Sequence, residues 1–207
     1  MNVHDDPKYQ AGEAPSPPTD DPEVIISDDT RREERVPPGQ SRTRKWPVLH
    51  YGYVPSVAID SWTLTIDGLV DQPLRLSWEE FRSLPRVKVF SDFHCVTQWS
   101  RLGNLWEGVS VREIIKRVGG GYDSGWTTNV PLADFAAEDA LLADTHDGEP
   151  IDADHGGPVR LMIPKLYAWK SAKWLKRLEF VADDAPGYWE RLGYHDHGDP
   201  WTEERFR

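Results

Sequence analysis

One cysteine, Cys95, occurs among the 207 residues of the chain, within the segment 92–100 (DFHCVTQWS). A single thiol cannot form an internal disulfide, and it cannot supply a four-sulfur zinc or iron–sulfur site. Its chemistry is limited to a nucleophile, a redox thiol, or the one protein ligand of a metal that an organic cofactor carries. Because a free cysteine is more often a small core residue, the rest of the sequence has to distinguish these roles.

The charge and hydropathy of the chain exclude several classes of protein. Its net charge of -11 argues against non-specific nucleic-acid or anionic-membrane binding, which both need a positive face. No run approaches the roughly 18 apolar residues of a membrane span, and the N-terminus lacks the apolar segment of a secretory signal. With only one cysteine, these features predict a cytoplasmic protein with no nucleic-acid partner and no membrane span.

The composition changes along the chain and predicts two parts. Residues 1–43 are rich in Pro, Asp, Glu, Ser and Arg, which predicts a disordered or loosely packed N-terminal arm. The short apolar run at 24–26 is a candidate to dock on the folded part. Residues 44–207 form the predicted domain, which is long enough to bury a sizeable core.

The elements expected in this domain interleave irregularly. Residue periodicity predicts strands at 62–66, from 87 into the Cys95 segment, and at 126–130, 159–163 and 175–181. Helices are predicted at 77–84 and 110–118, each opened by a Ser-x-x-Glu capping box, and at 132–142. Without a repeating strand–helix unit, this order favours an α+β fold, a mixed β-sheet core with short helices.

A cluster of cations stands out in this acidic chain. Lys165, Lys170 and Lys173 lie within nine residues, and Arg160 precedes them on a predicted strand. One interpretation is a solvated surface cluster, the commoner position of lysines. The other is an anion site for a phosphate, assisted by the backbone N–H groups at 171 and 172.

The histidines and carboxylates remain ambiguous by spacing alone. A cysteine hydrolase that pairs Cys95 with His155 is conceivable, but nothing in the sequence specifies it. His195 and His197 could suggest a metal pair, but without further ligand residues a packed C-terminal loop is expected. Three acidic residues on a polar stretch are expected to be solvated: Asp139, Asp144 and Asp147.

Three segments together resemble the molybdopterin-binding oxidoreductase family, which includes sulfite oxidase. The segment 94–100 (HCVTQWS) resembles the family's cysteine segment, and 154–160 (DHGGPVR) resembles its His-Gly-x-Pro-x-Arg stretch. The segment 170–174 (KSAKW) resembles the lysine-containing loop that follows. The order and spacing of the three segments make the resemblance more specific than any one of them, and it implies the sulfite oxidase molybdopterin-domain fold.

The resemblance implies a Mo-molybdopterin cofactor and a set of site residues. Cys95 would be the metal ligand, and a thiolate suits this soft, sulfur-rich centre. The pterin and its terminal phosphate would be held by His50, Asn129, His155, Arg160, Ser171, Ala172 and Lys173. Asp144 falls where the sulfite oxidase pattern has a tyrosine, which argues against sulfite as the substrate.

The implied function is a molybdenum-dependent oxidoreductase that transfers an oxygen atom or two electrons. Its partners would be a small-molecule substrate and an external electron donor or acceptor, because no second redox centre is encoded. Two alternatives remain open: a module that binds or carries the pterin cofactor without turnover, and a cofactor-free cysteine enzyme.

Overall fold

The computed structural model describes residues 14–18, 20–118 and 128–207, which form two β-sheets with short helices. The elements in chain order are β1 (Val24–Ile26), β2 (Ser41–Arg42), β3 (Thr63–Gly68), β4 (Leu74–Ser77), α1 (Trp78–Ser83), β5 (Arg86–His94), β6 (Trp99–Ser110), α2 (Val111–Val118), α3 (Leu132–Phe135), β7 (Leu141–His146), β8 (Glu149–Pro150), β9 (Arg160–Met162), β10 (Arg177–Phe180) and α4 (Tyr188–Arg191). None of the described helices has the length and apolar character needed to cross a membrane. The predicted α+β class is confirmed.

The larger sheet has seven strands and is built around the antiparallel hairpin of β5 and β6. Its strand order is β1-β5-β6-β7-β8, with β2 also paired to β6 and β9 to β7. Buried and half-buried residues alternate along most of β6, as expected for a strand with one face on the core. The hairpin closes where His94 pairs with Ser100, so the Cys95 segment lies at the end of two long strands.

The smaller sheet has the order β10-β3-β4 and shares an apolar core with the larger one. Leu64 and Ile66 on β3 are fully buried and belong to the same cluster as Val109 and Leu142 of the larger sheet. This cluster packs the two sheets against each other, while a second cluster, which includes Trp106 and Leu141, buries further apolar residues of the larger sheet.

Part of the predicted arm is packed in the structure, which differs from the expectation of a loose segment. Strand β1 pairs in parallel with β5, and β2 pairs in parallel with β6. Thr30 and Thr43, between and after these strands, are buried. The docking suggested for the apolar run at 24–26 is observed as β1, whereas β2 had no signal, because a two-residue strand leaves no periodicity and depends on its partner for its hydrogen bonds.

The structure confirms most of the predicted elements around the site, as β3, β5, β9, β10, α1 and α2. The capping box of α1 is present, with Ser77 Oγ accepting from the Glu80 N–H and Glu80 Oε2 accepting from the Ser77 N–H. At α2, Ser110 Oγ accepts from the Arg112 N–H, and Glu113 pairs with Arg117.

Two other predicted elements differ. The predicted helix 132–142 is wrong, since α3 ends at Phe135 and strand β7 begins at Leu141. The first four residues of β7 are all buried, so the apolar and polar residues do not alternate along it. The alternation by which a strand is recognised in a sequence is therefore absent here. Of the predicted strand 126–130, residues 126 and 127 lie outside the described residues, as does the glycine run at 119–121, and residues 128–130 have no regular structure.

Candidate active site

A cavity of about 840 Å³ has Cys95 in its wall, a size typical of small-molecule and cofactor sites. Six of the residues that the resemblance implied line it: His50, Cys95, Arg160, Ser171, Ala172 and Lys173. Among the described residues, the charged side chains in the lining are all cations: Arg160, Lys173, Lys176 and Arg177. In a chain with a net charge of -11, this arrangement favours an anionic ligand.

The tight turn between β5 and β6 places the Cys95 side chain in the cavity wall. The Cys95 N–H donates to the Trp99 carbonyl at 2.9 Å, and the Gln98 N–H donates back to the Cys95 carbonyl at 3.0 Å. Gln98 has a φ of 70°, the left-handed residue that closes a three-residue hairpin loop. These backbone bonds fix the turn independently of the thiol, so the side chain is available for chemistry.

The Cys95 thiol lies in an environment that opposes a free thiolate. Burial raises the pKa of Cys95, while a hydrogen bond from Thr97 and the positive charges of Arg205 and Lys173 oppose that rise. The Thr97 hydroxyl donates to Cys95 Sγ at 3.2 Å. A buried sulfur with one donor and nearby cations is suited to carry negative charge only when a cation or a metal compensates it.

Arg160, on β9, is a buried cation held by backbone carbonyls. Its Nη1 donates to the His155 carbonyl at 2.6 Å and its Nη2 to the Ser171 carbonyl at 2.9 Å. Its Nε is buried without a hydrogen-bond partner among the described residues, and burial lowers the pKa of Arg160 to about 9. Within the described chain no carboxylate pairs with it. A buried guanidinium without a carboxylate is costly, so the site favours an anion from outside the protein.

Lys173 extends this positive site. Its Nζ donates to the Leu49 carbonyl at 3.0 Å and to the Asp154 carbonyl at 2.6 Å. Burial and then the charge of Arg160 lower the pKa of Lys173 to about 8. Gly156 packs against its side chain, and a Cβ built there would lie 2.7 Å from Lys173 Cβ. This close approach explains why the loop before β9 needs a glycine at this position.

Three further residues that the resemblance implied, Ser171, Ala172 and His50, line other parts of the cavity. Ser171 Oγ accepts from the Ile163 N–H at 3.0 Å, and the Ser171 N–H donates to the Ala168 carbonyl. This N–H is therefore already bonded, which differs from the prediction that it would bind an anion. The Ala172 carbonyl accepts from the Leu161 N–H. The His50 ring lies 6.0 Å from that of Trp174, edge to face, on the loop across the cavity.

Two implied residues lie behind the cavity wall. Asn129 accepts from Lys170 Nζ and donates to Asp184, and it is not part of the cavity lining. His155 Nδ1 lies 2.9 Å from Asp152 Oδ2, and its Nε2 lies 3.0 Å from the Trp46 carbonyl. Since both ring nitrogens are engaged in this way, the geometry does not support a catalytic pairing of His155 with the cavity thiol.

The predicted grouping of three lysines at one anion site is wrong. Lys165 pairs with Asp134, and Lys170 is fully buried 2.6 Å from Glu190. A short 3₁₀ helix at Ala168–Lys170 turns the segment, so its lysines point to different partners. Sequence spacing could not reveal this separation because the carboxylate partners come from distant segments.

Of the three acidic residues that were predicted to be solvated, Asp147 is exposed, Asp139 is half-buried and Asp144 is buried. Asp144 is 3% exposed, and its Oδ1 accepts from Arg82 and Arg86 at 2.8 Å and 2.6 Å. It does not line the cavity, so its identity carries no argument about sulfite as a substrate. Asp139 accepts from Ser27, and Asp147 pairs with Arg101.

The expected packing of the C-terminal histidines is confirmed. His197 Nδ1 lies 2.8 Å from Glu204 Oε2, and its Nε2 lies 3.0 Å from Asp134 Oδ2. Across residues 14–18, 20–118 and 128–207, no group of three or more His, Cys, Asp or Glu side chains is placed to hold a metal ion.

One wall of the cavity is formed by aromatic side chains, and we call it the aromatic wall. The sequence patterns did not predict it. Consecutive ring centroids along this wall lie about 5 Å apart, from the exposed Tyr51 through Tyr188, Trp189 and Tyr194 to Trp169. Among the nine tryptophans that the structure describes, five line the cavity: Trp46, Trp99, Trp169, Trp174 and Trp189. The high tryptophan content was the only signal, and it does not distinguish a core from a cleft.

Trp46 forms the part of this wall nearest Arg160. Its ring centroid lies 4.0 Å from the ring of His155, 4.4 Å from that of His146 and 5.3 Å from the Arg160 guanidinium carbon. Burial, opposed by the charge of Asp147, lowers the pKa of His146 to about 4. Trp46 therefore packs on a half-buried histidine that is neutral at pH 7.

We expect the free energy of unfolding to fall as the pH drops from about 6.5 to about 4. His146 binds its proton in the unfolded chain at the ordinary pKa of 6.5 but in the folded chain only near 4, so acid favours unfolding. His146→Gln should flatten the dependence by at most about 3 kcal/mol. Urea melts at several pH values measure this slope, and parallel curves for the variant and the wild type would contradict the assignment.

Fold and site together define a cofactor-binding enzyme domain, and comparisons with known proteins identify its family. The family described as "Oxidoreductase molybdopterin binding domain" matches residues 51–189. The chain is 49% identical over 182 residues to "Uncharacterized oxidoreductase YuiH" of Bacillus subtilis (strain 168), covering 83% of this chain and 92% of that protein. The chain therefore belongs to the molybdopterin-binding oxidoreductase domain family.

More distant relatives agree with this membership. The NADH nitrate reductase of Lotus japonicus is 28% identical over 183 residues, covering 69% of this chain but only 20% of that protein. The sulfane dehydrogenase SoxCD of Paracoccus pantotrophus superposes with a TM-score of 0.58 at 22% identity, covering 65% of this chain and 41% of that chain, which shows the fold. The predicted oxidoreductase class and Mo-molybdopterin cofactor are confirmed at the level of the family.

The residues present fit this cofactor. A phosphate requires cations and donors, and Arg160 offers a buried guanidinium whose Nε has no partner among the described residues. A soft metal prefers a thiolate, and Cys95 lies in the same cavity as Arg160 and Lys173.

Proposed function

We propose that the chain is a molybdenum-dependent oxidoreductase in which the Cys95 thiolate ligates the metal of the pterin cofactor. The observation that carries the proposal is the shared cavity, which joins the lone thiol to the unpaired cation Arg160 and to Lys173. When bound, the cofactor supplies oxygen-atom or two-electron transfer, and the protein binds and orients it.

Cys95 would act as a ligand rather than as a nucleophile. Its burial disfavours a free thiolate, which a nucleophile needs, whereas a metal compensates the charge directly. The Thr97 hydroxyl, 3.2 Å from Sγ, would orient the sulfur and share its charge. The neighbouring backbone bonds of the turn hold that orientation.

Arg160 and Lys173 would hold the terminal phosphate of the pterin. The Arg160 guanidinium is positioned by two carbonyls, so its direction is set before the ligand arrives. Ser171, Ala172 and His50 would line the pterin from the two sides of the cavity.

We assign indirect roles to His155 and Asn129. The His155 carbonyl accepts from Arg160, so this residue would position the phosphate-binding guanidinium. Asn129 accepts from Lys170, whose neighbour Trp169 is part of the cavity wall. Both residues would therefore act through others rather than touch the cofactor.

The aromatic wall would exclude water and shape the entrance. Tyr51 is 62% exposed and lies beside Tyr188 at the rim, whereas Trp169 lies deeper along the same wall. A small-molecule substrate would reach the metal along these rings. An external electron donor or acceptor and a cytoplasmic location complete the proposal, the latter supported by a single, reduced cysteine.

Metal and pterin analysis tests this function. Protein made in a host that synthesises the cofactor should carry close to one molybdenum and one pterin per chain, and should turn over with a chemical electron donor or acceptor. Natively folded protein that contains neither component would overturn the proposal. Full loading without turnover across sulfoxides, N-oxides and sulfite would instead favour a binding module.

Replacing Lys173 with alanine should reduce the pterin content after purification by about tenfold, because it removes one charge-assisted contact to the phosphate. Lys176→Ala is the matched control, since Lys176 is an exposed cation on the rim of the same cavity. Pterin is measured as its fluorescent oxidation product per chain. Equal content in Lys173→Ala and the wild type would contradict the phosphate assignment.

A further inference from the structure

The turn that carries Cys95 is bound from outside by segments beyond the matched family range of 51–189. Three of its carbonyls, those of Cys95, Val96 and Gln98, accept hydrogen bonds from such segments. The donors come from both sides of the family domain, one group before it and one after it. We call these donors, Gln40, Ser41 and Arg205, the outer clamp.

The first half of the outer clamp belongs to the predicted N-terminal arm. Gln40 Nε2 donates to the Cys95 carbonyl at 3.1 Å, and the Ser41 N–H donates to the Gln98 carbonyl at 2.9 Å. The pairing of β2 with β6 places both residues, with Ser41 opposite Trp99. The arm therefore contacts the first and last residues of the turn.

The second half of the outer clamp is one side chain near the C-terminus. Arg205 Nη1 donates to the Val96 carbonyl at 2.9 Å, and its Nη2 donates to the Pro38 carbonyl at 3.2 Å. Its guanidinium also lies 5.3 Å from the centroid of the Tyr167 ring. This side chain is 11% exposed and links the turn directly to the arm.

We propose that Gln40 and Arg205 are positioning residues that hold the Cys95 turn and thereby set the position of the thiolate in the cavity. This inference rests on the proposed role of Cys95 as the metal ligand. It gives the packed part of the arm a function, which is to complete the site rather than only to extend the sheet.

The geometry of the turn shows what an external restraint adds to its own backbone hydrogen bonds. Gln98 adopts a φ of 70°, which residues other than glycine rarely adopt. A hairpin loop in such a conformation persists when the surrounding structure over-determines it. The outer clamp provides that restraint, because it binds the carbonyls of Cys95, Val96 and Gln98 within the turn.

Thiol labelling of the cofactor-free protein tests the outer clamp without the metal. Because Cys95 is the only cysteine, the rate of iodoacetamide labelling reports on this one turn. Gln40→Ala should raise the rate about tenfold, through loss of a hydrogen bond that restrains the loop. Arg205→Ala should also raise it, because the freed loop exposes the thiol by more than the loss of the nearby positive charge reduces its thiolate fraction. Arg205→Lys should give an intermediate rate, because an ammonium cannot reproduce the two-armed guanidinium fork.

Arg207→Ala is the matched control, since Arg207 lies on the same tail but pairs with Asp196. It should label within about twofold of the wild type, as expected for an exposed ion pair. Wild-type rates in both clamp variants would overturn the proposal. So would an increase that follows urea in the same way as global unfolding, because the clamp would then be only structural.

The loaded protein separates this inference from the proposed function. If the clamp variants label faster but the wild type never acquires molybdenum, the outer clamp stands and the metal role of the thiolate fails. If the wild type is loaded, Arg205→Ala should shift its Mo(V) electron paramagnetic resonance spectrum while Arg207→Ala does not. An unshifted spectrum in Arg205→Ala would overturn the positioning role.

Discussion

Replacing Cys95 with serine should lower the turnover of cofactor-loaded protein by more than about 100-fold. Changes one shell beyond a metal's ligands already cost about 10–100-fold, and this change alters the proposed ligand itself. A serine hydroxyl is hard and neutral at pH 7, whereas the sulfur-rich centre favours a soft thiolate. The turn should survive, because the Cys95 N–H and carbonyl make its hydrogen bonds.

Thr97→Val provides a graded control for this result. It removes the hydroxyl that donates to Cys95 Sγ but keeps the thiolate, so we expect a loss of less than about tenfold. Turnover, molybdenum content and pterin content are measured on the same preparations, with thermal melts as a check of folding. Retained wild-type turnover in Cys95→Ser would refute the ligand role.

The grouping of Cys95, Arg160 and Lys173 in one cavity agrees with what the family resemblance implied, whereas their spacing alone left it open. Strand β5 delivers Cys95 to a turn, and strand β9 begins at Arg160. The three motif segments are far apart in the chain, but the fold brings them together in one cavity. The roles assigned to these residues stay predictions that the experiments above test.

The features that the sequence did not predict all depend on contacts between segments that are distant in the chain. The strand β2 is two residues long and is stable only because β6 supplies its hydrogen bonds. The aromatic wall joins Tyr51 to Tyr188, which are far apart in the chain. Burial of Lys170 is equally non-local, because a lysine is tolerated in a core only where a carboxylate meets it.

The Lys170–Glu190 ion pair leads to the second large prediction, a loss of about 3–5 kcal/mol of unfolding free energy in Lys170→Met. Both side chains are fully buried, with Nζ 2.6 Å from Oε1. Removing the ammonium leaves the Glu190 carboxylate without its cation. Lys170 Nζ also donates to the Asn129 carbonyl and side chain, so those acceptors lose their donor as well.

Arg117→Met is the control, because Arg117 pairs with Glu113 on the exposed face of α2 and such pairs contribute less than about 1 kcal/mol. The double variant Lys170→Met/Glu190→Gln should recover part of the loss, since it removes the uncompensated charge. Urea denaturation measures all three. A loss below about 1 kcal/mol in Lys170→Met would contradict a buried ion pair. Glu190 also accepts from Trp169 of the cavity wall, so a confirmed loss would tie the stability of the fold to the shape of the site.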